Sequence, residues 1–270
     1  MSQKIFSPGL IEISRLLNHL HKDGGARISD NNPMNDILPD RIIGILGGMG
    51  PEATLDLYRQ IIRLTPAVKD QDHIPVLIYS NPKIPDRTRA IAENGESPLP
   101  YLIHSAMLLE QGGAGIIAMP CNTSHHFLPE IQEKVKISVI NMIEETCRTL
   151  HSRQPETRVV GLLATIGTLR SRIYETHLSR AGVRVLTPDR VEQEKIQAAV
   201  GRVKAGIHDR STRDVFESAG LKLMSSGAEA VILGCTEIPL VFDPESVDYP
   251  CLNSTLILAQ AAVDWALAKK

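Results

Sequence analysis

The chain has 270 residues, with 29 Lys and Arg against 31 Asp and Glu, a formal net charge of -2, 43% hydrophobic residues and 22% charged ones. This is ample apolar material for a core divided between two small domains, and no long run of either charge sign marks a nucleic-acid or membrane-surface partner, so a small molecule is the expected ligand. No apolar run approaches the ~20 residues needed to span a bilayer, and the 4 cysteines show no CxxC pair, no finger spacing and no secretory leader, so they read as reduced thiols of a cytoplasmic protein.

Residues 1–40 differ in composition from the rest. Leu10, Ile13, Leu16, Leu17 and Leu20 keep helical spacing, and Gly24-Gly25 and Asn31-Asn32-Pro33 follow. This predicts a short amphipathic helix and a linker, an N-terminal extension compatible with partial disorder. From residue 41 onward, short β-branched runs alternate with helical stretches. Strands are expected at 41–46, 74–79, 115–119 and 137–140, with helices near 52–64, 98–111, 124–135 and 142–152. The pattern then repeats, with strands at 158–164, 183–187, 229–234 and 249–252 and helices near 168–180, 191–205, 211–226 and 254–268. Continuous apolar strands between helices predict an α/β fold of mainly parallel sheets flanked by helices on both faces. Ligands of such sheets bind beyond the carboxyl ends of the strands.

The repetition extends to residue detail. Arg41-Ile42-Ile43-Gly44-Ile45-Leu46 is echoed by Arg158-Val159-Val160-Gly161-Leu162-Leu163, and the run ending in Met119-Pro120-Cys121-Asn122-Thr123 by the run ending in Leu233-Gly234-Cys235-Thr236-Glu237. Both echoes lie at an offset of roughly 115 residues, the mark of two related halves that each end a buried strand in a cysteine. A thiol presented twice in this way suggests one site approached from two sides. Cys147, in a helical stretch, and Cys251, in a short strand, read as packing residues.

Gly47-Gly48-Met49-Gly50-Pro51-Glu52-Ala53-Thr54 follows a strand and opens a helix, but it is not GxGxxG and lacks the Lys-Ser/Thr of a phosphate loop. Backbone N–H groups at such a turn suit a carboxylate, and Ala164-Thr165-Ile166-Gly167-Thr168 is the matching segment of the second half. Ser80–Arg87 is a polar loop after a strand. Its Arg87 has two readings on residues alone: a fork for a side-chain carboxylate, or a surface arginine paired with Asp86. His125 and His126 follow Cys121 at Cys-x3-His spacing, but no second ligand cluster accompanies them. They predict a helix start near the thiol rather than a metal site.

Four segments, Leu46–Thr54, Ile84–Arg87, Met119–Thr123 and Gly234–Ile238, resemble in this order the cofactor-independent aspartate/glutamate racemases, and most closely the aspartate branch. The resemblance covers about residues 41–268. It implies two pseudo-twofold-related α/β domains with the active site in the cleft between them, drawn here as 41–141 plus 253–270 and 142–252. It also implies a homodimer that needs no cofactor and no metal.

By the same resemblance Cys121 and Cys235 are the two catalytic bases. Inversion at Cα needs a base on one face and an acid on the other, roles that a thiolate and a thiol can exchange. Asn122, Thr123 and Thr236 follow the cysteines and are the expected donors to the α-carboxylate. Asp86 and Arg87 match positions that contact or organise the substrate, and Lys204 falls near a lysine used around the site. Thr165, the Met49 backbone N–H and Gly50 complete the expected contacts. Glu237 is read as orienting a cysteine, as shaping the pocket, or as a helix N-terminal acid. The expected substrate is aspartate, with glutamate or a broader set allowed. The rivals are hydantoin racemisation, isomerisation of a dicarboxylate, and a small-molecule binding protein without turnover.

Overall fold

A computed structural model describes residues 41–268; the amphipathic helix expected at 10–20 lies outside this range. The first half contains β1 (Ile43–Gly47), α1 (Pro51–Leu64), β2 (Val76–Ser80), α2 (Arg87–Ala92), α3 (Leu99–Gln111), β3 (Ile116–Ala118), α4 (Leu128–Gln132), β4 (Ser138–Val139) and α5 (Met142–Arg153). The second half contains β5 (Val159–Ala164), α6 (Ile166–Ser171), α7 (Ile173–Leu178), β6 (Arg184–Leu186), α8 (Arg190–Lys204), α9 (Arg210–Ser225), β7 (Ala230–Gly234), β8 (Cys251–Asn253) and α10 (Ser254–Leu267).

Each half forms a four-stranded parallel sheet, in the order β2-β1-β3-β4 and β6-β5-β7-β8, so the duplication read in the sequence is a duplication of topology. The registers match as well: β1 pairs Ile45 with Ala118 of β3, and β5 pairs Ala164 with Gly234 of β7. Both cysteines therefore leave the carboxyl end of the strand beside the first strand of their half.

Strand periodicity distributes the apolar runs to two faces. In the first sheet Leu46, Ile117 and Met119 face Leu102, Leu109 and Ile131, while Ile43, Ile45, Ile116 and Ala118 face Leu57, Ile61, Leu258 and Val263. In the second, Leu163, Val231 and Leu233 meet Val200 and Phe216, while Val160, Leu162 and Ile232 meet Ile143, Leu150 and Tyr174. Each such side chain removed from water contributes about 1.5–3 kcal/mol. These clusters show that the halves exchange helices. α5 follows the first sheet's last strand but packs on the second sheet, and α10 follows the second sheet's last strand but packs on the first.

Three local departures from the sequence reading have physical causes. The helix expected over 124–135 is a 3-10 turn, Thr123–Phe127, followed by α4, because Pro129 has no N–H for the carbonyl of His125. The helix expected over 168–180 breaks at Arg172, whose φ is 53°; there the Ser171 hydroxyl donates to the Thr168 carbonyl at 2.7 Å and competes with the backbone ladder. The segment read as a polar loop ends in α2, which Asp86 caps by accepting from the Arg89 N–H at 2.9 Å.

The Gly-rich turn is fixed by Thr54, whose hydroxyl accepts from the Gly48 N–H at 2.8 Å and donates to the Gly50 carbonyl at 2.9 Å. Gly48 has φ 97°, and a Cβ there would stand 2.3 Å from the Asn81 backbone. Left-handed strain and a backbone clash act together, so Gly48→Ala is expected to destabilise the fold by about 2 kcal/mol or more. Thermal unfolding checks this; a midpoint within about 2 °C of the parent's would contradict it.

Candidate active site

Cys121 and Cys235, 6% and 4% exposed, line one cavity between the carboxyl ends of the two sheets. Arg87, Asp86, Asn122, Thr123, Thr165, Lys204, Thr236, Glu237 and the Met49 residue line it with them, so the fold brings together all but one of the residues singled out in the sequence. Gly50 belongs instead to an adjoining vestibule of about 370 Å³, which shares Met49, Asp86, Arg87, Lys204 and Glu237 with the thiol cavity. The thiol cavity itself measures about 10 Å³, room for about one water molecule.

Hydrogen bonds brace the two cysteine loops against each other. The Thr236 hydroxyl donates to the Pro120 carbonyl at 3.3 Å, directly across the halves. Asn122 donates to the Ser254 hydroxyl at 3.1 Å, and Ser254 donates to the Leu233 carbonyl at 2.7 Å, two residues before Cys235. Tyr174 closes the chain by donating to Asn122 Oδ1 at 2.7 Å, and burial pushes its phenol pKa up. The side chains of Asn122 and Thr236 are thus engaged in holding the thiols in position. Tyr174→Phe leaves the Asn122 oxygen without this donor and is expected to cost about 1–3 kcal/mol. Denaturant unfolding reads this loss, and an unchanged midpoint with an unchanged slope would refute it.

Thr123, Thr165 and Thr168 form a closed triad of hydroxyls at 3.0, 2.8 and 3.2 Å. Thr165 also caps α6 by accepting from the Thr168 N–H. The helix start comes this close because residue 167 is glycine: a Cβ there would lie 2.8 Å from Thr88 Cα and 2.9 Å from Thr123. Thr168, Ser254 and Tyr174 were not singled out in the sequence. Their signal was weak, since each is a common polar residue on a helical stretch and is recognised only by its buried partner.

His125 joins the Cys121 loop to the start of α5. Its Nδ1 lies 2.9 Å from the Cys121 carbonyl, and its Nε2 accepts from the Met142 N–H at 3.1 Å. The Met142 bond fits the neutral Nδ1–H tautomer, and burial draws the pKa down against the carbonyls of Cys121 and Ile140, the latter 3.3 Å from Nε2.

Arg87 is 7% exposed. It is not paired with Asp86, which caps α2. Its guanidinium donates to the carbonyls of Pro85 at 3.1 Å, Ile84 at 3.4 Å and Met49 at 3.0 Å, while the buried Nε has no partner among the described residues. Met49 enters through that carbonyl and through its sulfur, 3.1 Å from the donating Ser124 hydroxyl. Of the Gly-rich turn expected to cradle a carboxylate, the Gly48 N–H is already taken by Thr54.

The second thiol has a carboxylate for a neighbour. Cys235 Sγ donates to Glu237 Oε2 at 3.1 Å. Burial first, and then the charge of Glu237, raise the Cys235 pKa well above the usual thiol range, against the opposing pull of Lys204. Lys204 closes α8, exposed as a residue yet reaching the cavity lining. Burial lowers its pKa, but Glu237 and Cys235 outweigh this and the net direction is up. Cys147 and Cys251, outside the cavity, are both pushed up to about 12 by burial.

The duplicated α/β chain thus sets one thiol from each half into a shared cavity. The chain belongs to the family of Asp/Glu/hydantoin racemases, whose model matches residues 46–262. Membership places it among isomerases of the racemase type. The broad specificity amino-acid racemase RacX of Bacillus subtilis (strain 168) is 29% identical over 231 residues, covering 84% of this chain and 99% of the relative. Among solved structures, Picrophilus torridus aspartate racemase matches with a TM-score of 0.74 and 32% identity over 84% of this chain and 94% of that one. An aspartate racemase homologue from Pyrococcus horikoshii OT3 matches with a TM-score of 0.67 and 27% identity over 84% and 98% of the two chains.

Proposed function

We propose that the protein racemises aspartate without a cofactor, with glutamate or a wider set of amino acids as further substrates, and that Cys121 and Cys235 act as the two bases. The observation that carries this reading is the shared cavity: two thiols from duplicated strand ends line one small space. One thiolate removes the Cα proton, and the other thiol returns a proton to the opposite face. The Cα proton is far less acidic than a thiol, so the negative charge passing to the carboxylate must be met by donors; Lys204 stands on the cavity wall for this role, and the Thr123 and Thr165 hydroxyls join it once substrate opens their triad.

The side-chain carboxylate is assigned to Arg87. Its Nε is a buried donor without a partner among the described residues, and a carboxylate would satisfy it. The relatives agree with an acidic substrate in one case and with breadth in another, the Picrophilus protein being an aspartate racemase and the Bacillus protein a broad specificity amino-acid racemase. Since the thiol cavity has room for about one water, substrate must widen it from the vestibule side. The vestibule wall includes Arg87 and Lys204, so binding is expected to move α2 relative to the end of α8.

The test is incubation with L-aspartate, and separately L-glutamate, in D2O without added cofactor, followed by NMR and chiral chromatography. Deuterium at Cα with growth of the D enantiomer is the expected result. Absence of exchange with either amino acid removes the assignment of substrate and mechanism.

A further inference from the structure

We propose that Glu237 holds the proton on Cys235 and thereby makes Cys121 the resting base of the pair. Its catalytic meaning rests on the two-base reading above, but its test does not require turnover.

The inference starts from a break in the internal symmetry. Two residues after the first cysteine stands Thr123, a neutral hydroxyl bound to Thr165 and Thr168. Two residues after the second stands Glu237, whose Oε2 accepts from Cys235 Sγ at 3.1 Å. Glu237 is 4% exposed, and its Oε1 has no partner among the described residues. A buried carboxylate with unused acceptor capacity aims the S–H bond at itself and opposes a second negative charge beside it. No side-chain hydrogen bond is made by the Cys121 sulfur among the described residues; that loop is held by its backbone, from Cys121 N–H to the Met119 carbonyl at 2.8 Å and from the Cys121 carbonyl to His125.

The other charged or titratable groups facing this corner are Lys204 from the end of α8, Arg87 and Asp86 from the start of α2, and Cys121 from the loop after β3. Lys204 favours a Cys235 thiolate, but makes no ion pair with Glu237 within 4.0 Å among the described residues, and its pull does not cancel the upward displacement of the Cys235 pKa. The push of Glu237 on Cys235 outweighs the pull of Lys204, and burial acts in the same direction as Glu237 and more strongly.

In the resting arrangement the Cys121 thiolate takes the Cα proton, and the Cys235 S–H bond breaks to deliver its proton to the opposite face. This leaves Cys121 as thiol and Cys235 as thiolate, with the proton count unchanged. Glu237 disfavours that second arrangement, so the pair resets by proton exchange with solvent. Enantiomers have equal free energies, so kcat/KM is equal in the two directions at every pH whatever Glu237 does. The asymmetry is therefore read in the free enzyme, from which thiol is ionised.

The experiment uses the full chain. In a Cys121→Ser background, ultraviolet thiolate absorbance is followed against pH. The Cys235 signal is read as the difference from a Cys121→Ser/Cys235→Ser chain, because Cys147 and Cys251, both pushed up to about 12, titrate in the same alkaline range. Adding Glu237→Gln preserves shape and an acceptor oxygen while removing the charge. It is expected to lower the Cys235 midpoint by about one pH unit or more, a tenfold gain in thiolate at fixed pH. Glu237→Asp keeps the charge and is expected to leave the midpoint high; if the Gln variant fails to fold, Glu237→Thr, which copies the matching Thr123 of the first half, removes the charge instead and is expected to lower the midpoint likewise. In the parent chain, iodoacetamide labelling with peptide mapping at neutral pH is expected to favour Cys121 over Cys235, and Glu237→Gln to narrow the ratio. A Cys235 midpoint unmoved by Glu237→Gln, or equally lowered by Glu237→Asp, overturns the proposal. These outcomes stand even if no amino acid is turned over, because they concern the free protein.

Discussion

Cys121→Ser and Cys235→Ser are each expected to lower racemisation of aspartate by about a thousandfold or more, since one positioned acid or base contributes about 10²–10⁴ and a serine hydroxyl supplies neither at neutral pH. The loss must be the same in both directions for each variant. The equilibrium constant between enantiomers is one, so the ratio of forward to reverse kcat/KM is fixed. Isotope exchange separates the variants where racemisation does not. With a single thiol left, a proton removed from one face returns only to that face. Each variant is therefore expected to wash deuterium into one enantiomer with retention, the two favouring opposite enantiomers, and the Cys121→Ser chain to do so more slowly, because its remaining thiol is the one that burial and Glu237 keep protonated. NMR in D2O with chiral chromatography reads both quantities. Racemisation within tenfold of the parent in either variant would sink the two-base assignment. Folding is a small concern, because serine is close to cysteine in size and each site borders a cavity.

The contrast between the cysteines and their surroundings shows what a single sequence discloses. The duplication was legible because a buried parallel strand needs a continuous apolar run, and a cysteine at the end of two such runs stands out against the core. The thiols and the Gly-rich turn could thus be placed at neighbouring strand ends, whereas Arg87 had two readings on residues alone and was assigned to the substrate by the resemblance. The division that puts α10 with the first half and α5 with the second came from the resemblance and not from the residues themselves, because an apolar helix face records that it is buried and not which sheet buries it. The bracing of the thiols was hidden for a related reason. Tyr174, Asn122 and Ser254 are far apart in the chain, and only the fold brings a phenol, an amide and a hydroxyl into one chain of bonds. Asp86 stands on the cavity wall and has in addition a role that the sequence reading did not give it. An aspartate three residues before a backbone N–H it can accept is a helix cap, and the short helix it starts is what turns Arg87 inward.

Arg87→Lys is expected to separate recognition of the side-chain carboxylate from the chemistry at Cα. Lysine keeps the positive charge but loses the planar fork, so the bond assigned to Nε cannot form with the same geometry. Losing one charge-assisted hydrogen bond costs about 1.5–3 kcal/mol, roughly ten- to hundredfold in kcat/KM for aspartate. A neutral amino acid such as alanine never makes that bond, so whatever turnover the parent shows with it should fall far less. Arg87→Ala is the less clean variant, because the carbonyls of Ile84, Pro85 and Met49 accept from this guanidinium and would lose their donor together. Its activity loss would mix recognition with collapse of the turn that carries Met49, whereas lysine can still donate to one of those carbonyls. The comparison to make is the ratio of aspartate to alanine kcat/KM in parent and Arg87→Lys. A ratio that falls tenfold or more assigns the side-chain carboxylate to Arg87. An equal fall for both substrates would make Arg87 a brace of the Met49 turn and move the choice of substrate to Lys204, the other cation on the cavity wall.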